Sequence, residues 1–146
     1  MTVRFSEQYP LMSVIDPDAA AVGTFTGDAI DMADFAGAVY HLAIGDMASS
    51  ATVDYSIWSG TTSGGTYTAI TAGSATQLTQ AGTDADKQVV IEIDARAVLA
   101  KGHRYIKDRL VVLVDAVDSC AMGFGIRARY GPETDLASVD EIVDVP

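Results

Sequence analysis

Hydrophobic and polar residues alternate along much of this chain, as they do in β-strands that bury one face. The pattern is clearest in residues 52–58, where three large apolar side chains are separated by polar ones. Residues 59–65 are rich in Gly, Ser and Thr, and residues 66–70 resume a strand-like composition. This succession predicts a β-hairpin with a long connecting loop.

Other segments carry the same signal. Strands are expected at residues 22–26, 38–44, 77–78, 88–94, 105–115 and 120–130. Residues 105–115 are largely apolar, which favours a central strand covered on both faces. The helix formers of residues 95–101 stop at Gly102 and predict one or two helical turns. The chain is therefore predicted to be all-β, a single β-sandwich or jelly roll of about seven to eight antiparallel strands with one short helix.

The longest alternation lies in the last predicted strand. One of its faces carries Cys120, Met122, Phe124, Ile126 and Ala128, and the other carries small residues and two arginines. Cys120 is the single cysteine, so it can form neither an intrachain disulfide nor a structural zinc site. We expect it to be a small buried residue.

The two ends of the chain lack these periods. Residues 1–20 contain two prolines and predict an irregular N-terminal arm, and residues 133–146 predict an acidic C-terminal tail. Residues 21–132 are left as the β-sandwich domain. A chain of 146 residues is near the commonest size for one domain.

The charge is strongly negative and unevenly distributed. The formal net charge is −11, yet residues 87–129 hold eight of the nine Lys and Arg residues. The acidic balance argues against nucleic acid as a partner. The apolar runs are too short to cross a bilayer and no signal peptide precedes them, so we expect a soluble protein made in a cytoplasm. The basic segment either steers docking on a charged partner or places solvated side chains on strand faces.

Residues that carry chemistry are sparse. His41 and His103 have no second metal ligand nearby in sequence, so each is expected to be a hydrogen-bonded polar residue. The chain lacks both a nucleophile-elbow motif and a phosphate-binding loop ending in Gly-Lys-Ser/Thr. We therefore predict no catalytic residue, no metal and no cofactor, and a protein that is not an enzyme. Aspartates in residues 28–34 and 84–86 leave an irregular calcium site open.

Two aromatic residues are the remaining candidates. Trp58 ends the strand pattern on the polar face, and Tyr67 lies on the return strand of the predicted hairpin. An exposed pair of this kind could stack on a sugar or anchor a protein interface. The alternative is that Trp58 covers the core at one end of the sandwich.

Four segments together resemble a known group of proteins. They are VYHLAIG at residues 39–45, ATVDYSIW at 51–58, GTYTAI at 65–70 and GIRARYGP at 125–132. This arrangement is similar to small β-sandwich proteins encoded beside the major capsid gene of tailed bacteriophages, some of which are capsid decoration or cement proteins. The similarity spans about residues 22–132 and carries over no catalytic residue.

The resemblance implies a structural role in a virion, at the capsid surface, after assembly in the host cytoplasm. Its expected partners are the major capsid protein and neighbouring copies of the chain, with a homotrimer as one arrangement that the resemblance implies, and with no membrane partner. The residues expected to bind a partner are Trp58, Tyr67, Arg104, Lys107, Arg109, Arg127 and Arg129. Two alternatives remain open: a ring component of a phage tail or neck, and a carbohydrate-binding β-sandwich module.

Overall fold

The computed structural model describes residues 4–130 and 136–142. Its strands, in chain order, are β1 (Leu11–Ala20), β2 (Gly23–Thr26), β3 (Ile30–Asp31), β4 (Phe35–Met47), β5 (Thr52–Gly60), β6 (Tyr67–Ser74), β7 (Leu78–Thr79), β8 (Gln88–Asp94), β9 (Tyr105–Leu113) and β10 (Val117–Ala128). Two short α-helices, α1 (Phe5–Gln8) and α2 (Ala95–Leu99), and a 3-10 turn at Gln80–Gly82 complete the described elements.

The strands form two sheets of antiparallel pairs. Sheet A has the order β1-β10-β4-β8. Sheet B has the order β2-β9-β5-β6, with the two-residue strands β3 and β7 paired to β9 and β5. The predicted all-β sandwich is therefore confirmed, as are the β5–β6 hairpin and the short helix α2.

The core lies between the two sheets and follows the alternation of their strands. Tyr40 and Leu42 of β4 point inward from sheet A, and both are fully buried. Tyr55 and Ile57 of β5 point inward from sheet B and are also buried. Burial also alternates along β8, whose half-buried side chains Val89, Ile91 and Ile93 pack against this core.

Residues 11–20 differ from the predicted irregular arm because they form β1, an edge strand paired with β10. Ser13 and Ile15 point into the core. The register shifts between Ile15 and Asp18, so Pro17 lies where the ladder is already interrupted and its missing N–H is tolerated. The prolines made residues 1–20 look irregular in the sequence, although the bulge allows β1 to include Pro17. Of the predicted tail, residues 136–142 are described, and the Leu136 N–H donates to the Leu11 carbonyl oxygen at 3.0 Å.

The β9 strand also differs from its prediction. It is central in sheet B, but its burial alternates, so one face is open to solvent and carries Lys107 and Arg109. Its inward face includes Asp108, which has 0% exposure. The Ser13 hydroxyl and the Tyr55 hydroxyl donate to the two carboxylate oxygens of Asp108 at 3.0 and 2.9 Å. This hydrogen-bonded group joins β1 of sheet A to β5 and β9 of sheet B.

The β10 strand places its small residues inside. A Cβ atom built on Gly123 would lie 2.5 Å from the Tyr40 ring, and one on Gly125 would lie 2.4 Å from the Phe35 ring. The two rings fill the space that ordinary side chains of β10 would need. The larger side chains of β10 therefore face outward. Cys120 is among them and is half-buried, so the prediction of a buried cysteine is wrong.

Candidate interaction surfaces

The outer face of sheet B brings predicted site residues from three strands together. In the β5–β9 register, Trp58 pairs with Lys107 and Ser56 pairs with Arg109. Paired residues share a face of an antiparallel sheet, so these side chains lie side by side. Tyr67 begins the neighbouring strand β6, whose first residue pairs with Gly60 at the end of β5.

Each of these cations lies over an aromatic ring. The Arg109 guanidinium carbon is 4.6 Å from the centre of the Trp58 ring, and the Lys107 Nζ is 5.1 Å from the centre of the Tyr67 ring. Both distances are within the cation–π range, which extends to about 6 Å. We refer to Trp58, Tyr67, Lys107 and Arg109 as the basic-aromatic surface.

Hydrogen bonds fix both rings of this surface. The Trp58 indole N–H donates to the Ser56 hydroxyl at 2.9 Å, and the Tyr67 hydroxyl donates to the Ser63 carbonyl oxygen at 3.0 Å. Burial raises the pKa of Tyr67, so its phenol stays neutral at physiological pH. All four side chains are half-buried, with their remaining area on the solvent side of sheet B. The alternative that Trp58 covers the core is wrong, since it lies on the outer face of its strand.

Arg104 lies at the end of the same sheet but is engaged within the chain. Its Nε atom is 2.8 and 2.9 Å from the two carboxylate oxygens of Asp31, and its guanidinium lies 5.4 Å from the centre of the Tyr105 ring. Burial by itself would raise the pKa of Asp31, but hydrogen bonds from Arg104 and from the Ala33 N–H outweigh it and lower that pKa. The charge of Arg104 is therefore paired with Asp31, and this ion pair joins β3 to the start of β9.

Arg127 and Arg129 lie on the other sheet, at the end of β10. The Arg129 Nε donates to the Phe35 carbonyl oxygen at 2.9 Å, and its backbone N–H donates to the Asp34 carbonyl oxygen at 2.7 Å. Arg127 is exposed beside a shallow groove that Ile126 also lines. The structure thus gathers four of the seven predicted site residues and separates Arg104, Arg127 and Arg129 from them.

The outer face of sheet A is a surface that the sequence did not single out. The β1–β10–β4 register places half-buried apolar side chains from three adjacent strands on one face. We call this the apolar face, and its members are Leu11, Val14, Val39, Ala43, Cys120, Met122, Phe124 and Ile126. The polar residue His41 of β4 borders this face, since it pairs with Met122 on one side and with Val90 of β8, which is 59% exposed, on the other. The signal was present in residues 120–130, where large and small residues alternate, but periodicity does not say which set faces inward.

Both histidines are hydrogen-bonded, as predicted. The His41 Nε2 is 2.7 Å from the Gln88 amide oxygen, and the His103 Nδ1 is 2.8 Å from the Ser59 hydroxyl. Within residues 4–130 and 136–142, no three His, Cys, Asp or Glu side chains are grouped closely enough to hold a metal ion. The same residues contain no helix long and apolar enough to span a membrane.

The buried group around Asp108 has a structural role. Burial raises the pKa of Asp108, and the hydrogen bonds from Tyr55 and Ser13 only partly oppose that effect. Burial, and next the Asp108 charge, raise the pKa of Tyr55 well above its usual range. Because Asp108 has no exposed area, a substrate has no access to it from solvent.

These features define the class of molecule: an all-β sandwich whose two outer faces differ in chemistry. No protein-family model matches the chain, and no curated protein matches it. Among solved structures, a chain described as "Structure of infectious bursal disease virus Gx strain" is similar over 85% of this chain and 33% of that one, with 12% identity and a TM-score of 0.39. The present chain thus spans about a third of the chain that it matches.

Proposed function

We propose that this protein is a non-enzymatic structural component of a virion that decorates the capsid by binding the major capsid protein lattice. The observation that carries the proposal is the basic-aromatic surface on sheet B. The resemblance of residues 22–132 to phage decoration proteins supplies the particular partner. The surface itself supports the more general statement that the partner is an acidic protein.

The composition of the surface suits a protein interface. Trp, Tyr and Arg are the residues most often found at energetically dominant interface positions. Here Trp58 and Tyr67 are already fixed by hydrogen bonds, so little side-chain freedom is lost on binding. Lys107 and Arg109 lie over these rings and would meet carboxylates on the partner.

Attachment to a repeating lattice does not require each contact to be strong. Copies that are linked to each other and bind neighbouring capsid subunits gain avidity from their high effective concentration. A strongly acidic protein would also be repelled by an acidic capsid unless it presented a local basic surface. The net charge of −11 therefore gives Lys107 and Arg109 a role in orienting the encounter.

The first test is composition. Particles from the source are banded on a density gradient, and this chain is quantified against the major capsid protein by mass spectrometry. A copy number comparable with that of the capsid protein is expected for decoration. A small fixed number would favour a closed ring in the neck or tail instead. Absence from the particles would overturn the proposal.

The second test locates the contact. Co-sedimentation of the purified chain with particles that lack it is expected to fail for Trp58→Ala and to weaken for Lys107→Ala. Lys101→Ala removes the same charge from an exposed position after α2 and is expected to bind normally. Equal binding by all three variants would overturn the assignment of this surface. If the purified protein, in the absence of particles, binds a glycan and loses that binding on Trp58→Ala, the carbohydrate-binding alternative is favoured.

A further inference from the structure

The apolar face of sheet A brings half-buried apolar side chains of three adjacent strands together on the solvent side of the sheet. Its central side chains, Met122 and Phe124 of β10 and Val39 of β4, are neighbours in the register and retain solvent exposure. Contiguous exposed apolar patches on soluble proteins usually mark interaction sites. None of these three side chains belongs to the core between the sheets.

The two ends of the apolar face carry opposite charge. At the end where β10 begins, the exposed residues Asp18 and Asp118 line a groove together with Cys120. At the end where β10 finishes, Arg127 borders a second groove on the same face, between Ile126 and the end of β8.

The acidic residues near Arg127 do not cancel the charge difference. Glu92 and Asp94 line the same groove as Arg127. Asp94, however, is paired with Arg96 at 2.6 Å, and Arg129 also acts on Asp94 and helps to lower its pKa. Arg96 therefore offsets Asp94, and Arg127 and Arg129 lie at this end beside Glu92, whereas Asp18 and Asp118 line the other end.

We propose that the apolar face is the interface of a homodimer, in which a second copy packs face to face with the strands of the two copies antiparallel. A twofold axis lying across the strands places the acidic end of one copy over the arginine end of the other. An axis parallel to the strands would place acidic ends on each other. Charge complementarity thus selects both the occupant and the axis. The proposal does not rest on the basic-aromatic surface, which remains open in such a dimer.

This arrangement predicts which residues meet. With the axis crossing β10 at Gly123, between Met122 and Phe124, Cys120 of one copy lies opposite Ile126 of the other. The two Cys120 residues are then separated by six residues along the strand direction, which is about 20 Å. The native thiols therefore lie beyond the reach of a short linker, whereas a thiol at position 126 would lie close to the partner's Cys120.

The first experiment measures mass by sedimentation velocity over a wide concentration series of the full chain. We expect a dimer, and a Kd raised by about thirtyfold or more in Phe124→Asp and Met122→Lys, because each places a charge at the centre of the face. Val111→Lys, at a half-buried apolar position on the outer face of sheet B where it pairs with Asp54, is the control matched to Met122→Lys and should leave the dimer intact. Circular dichroism establishes that each variant is folded. A monomeric wild type, or dimers in both folded face variants, would overturn the proposal.

The second experiment tests the axis. Asp118→Arg and Arg127→Asp are each expected to weaken the dimer about tenfold, and the double variant to recover most of the loss. A short bismaleimide should link Ile126→Cys copies and leave the wild type unlinked. Efficient linkage of wild-type Cys120, or a double variant weaker than both single variants, would refute the antiparallel packing. Trp58→Ala should bind capsids poorly and still dimerise, so failure of the proposed function and failure of this interface are distinguishable.

Discussion

The outer faces of the two sheets differ although their central strands alternate in the same way. In β5 the large side chains Tyr55 and Ile57 face the core, and polar residues face solvent. In β10 the glycines face the core, and residues such as Phe124 face solvent. The comparison teaches that a period of two identifies two faces, whereas the volume left by the opposite strands decides which face is inside.

The difference has a consequence for partners. Exposure of the sheet B face to water costs little free energy, since its aromatic rings are already covered by Arg109 and Lys107. The face of sheet A is apolar along β10, and its polar residues, His41 and Glu92 among them, lie on β4 and β8. We therefore expect the two faces to contribute differently to folding and to assembly, and the following substitutions test this, from the largest effect to the smallest.

Filling the inner face of β10 should produce the largest effect. Gly125→Val places a branched side chain where a Cβ alone would lie 2.4 Å from the Phe35 ring. We expect a loss of about 3 kcal/mol in the free energy of unfolding, at the upper end of the range for overpacking. Urea denaturation provides the measurement. Gly64→Ala, where nothing lies within 4 Å of the added Cβ, is the control and should be nearly neutral.

Removing the hydroxyl group of two buried tyrosines, one from each sheet, should have different effects on the free energy of unfolding. Tyr55→Phe removes a hydrogen bond to buried Asp108 and should lower the free energy of unfolding by about 1.5–3 kcal/mol. The Tyr40 hydroxyl is buried without a hydrogen-bond partner among the described residues, so Tyr40→Phe should be neutral or stabilising. Equal losses in the two variants would contradict this assignment of the buried hydroxyl groups.

The buried carboxyl that joins the sheets should make stability depend on pH. The pKa of Asp108 is raised by folding, so the stabilisation that comes from its protonated form is complete below about pH 3.9 and is lost as the pH rises through the folded value. The loss is at most about 1.4 kcal/mol per pH unit.

Asp108→Asn isolates this effect because it cannot ionise. Asp31 and Asp94 have lowered pKa values and act in the opposite direction, but they do so equally in both proteins. The stability of the variant relative to wild type should therefore increase from pH 4 to pH 7. A constant difference between the two denaturation profiles would show that Asp108 keeps one protonation state across this interval.

The cation–π contacts of sheet B should contribute least to folding. A double-mutant cycle of Trp58→Leu and Arg109→Gln should give a coupling free energy of about 0.5–1 kcal/mol. The same cycle applied to capsid binding should give a larger effect, since the contact loses water in the complex. A coupling near zero in both measurements would mean that the stacked geometry carries no energy.

Sequence patterns predicted most of the architecture. The β5–β6 hairpin and helix α2 were found because each is specified by local composition, namely turn residues in one case and helix formers ended by glycine in the other. The β1 strand was missed because Pro17 is compatible with a strand only at a bulge, and the bulge depends on pairing with β10. Local sequence does not record such a long-range partner.

The candidate surfaces, too, were predicted from the sequence only in part. Alternation placed Trp58 on the polar face of its strand, and Lys107 and Arg109 belong to residue types that are almost never fully buried without a partner. Aromatic type alone was not sufficient, since Tyr40 and Tyr55 lie in the core. Residue type was also not enough to separate Arg104, whose partner Asp31 lies 73 residues away in sequence. The apolar face was missed because its members have the composition of a core, and only the rings of Phe35 and Tyr40 exclude them from it.

The strand β8 ends sheet A, so the backbone groups along one of its sides have no strand neighbour in the described sheet. An open edge of this kind can template the growth of further sheet from another chain, and four of the seven residues of Gln88–Asp94 are Val or Ile. Glu92 interrupts that run with an exposed charge in the middle of the edge. Its charge therefore opposes pairing of this edge with another chain. Glu92→Val should shorten the lag before thioflavin-positive aggregates appear in concentrated solutions.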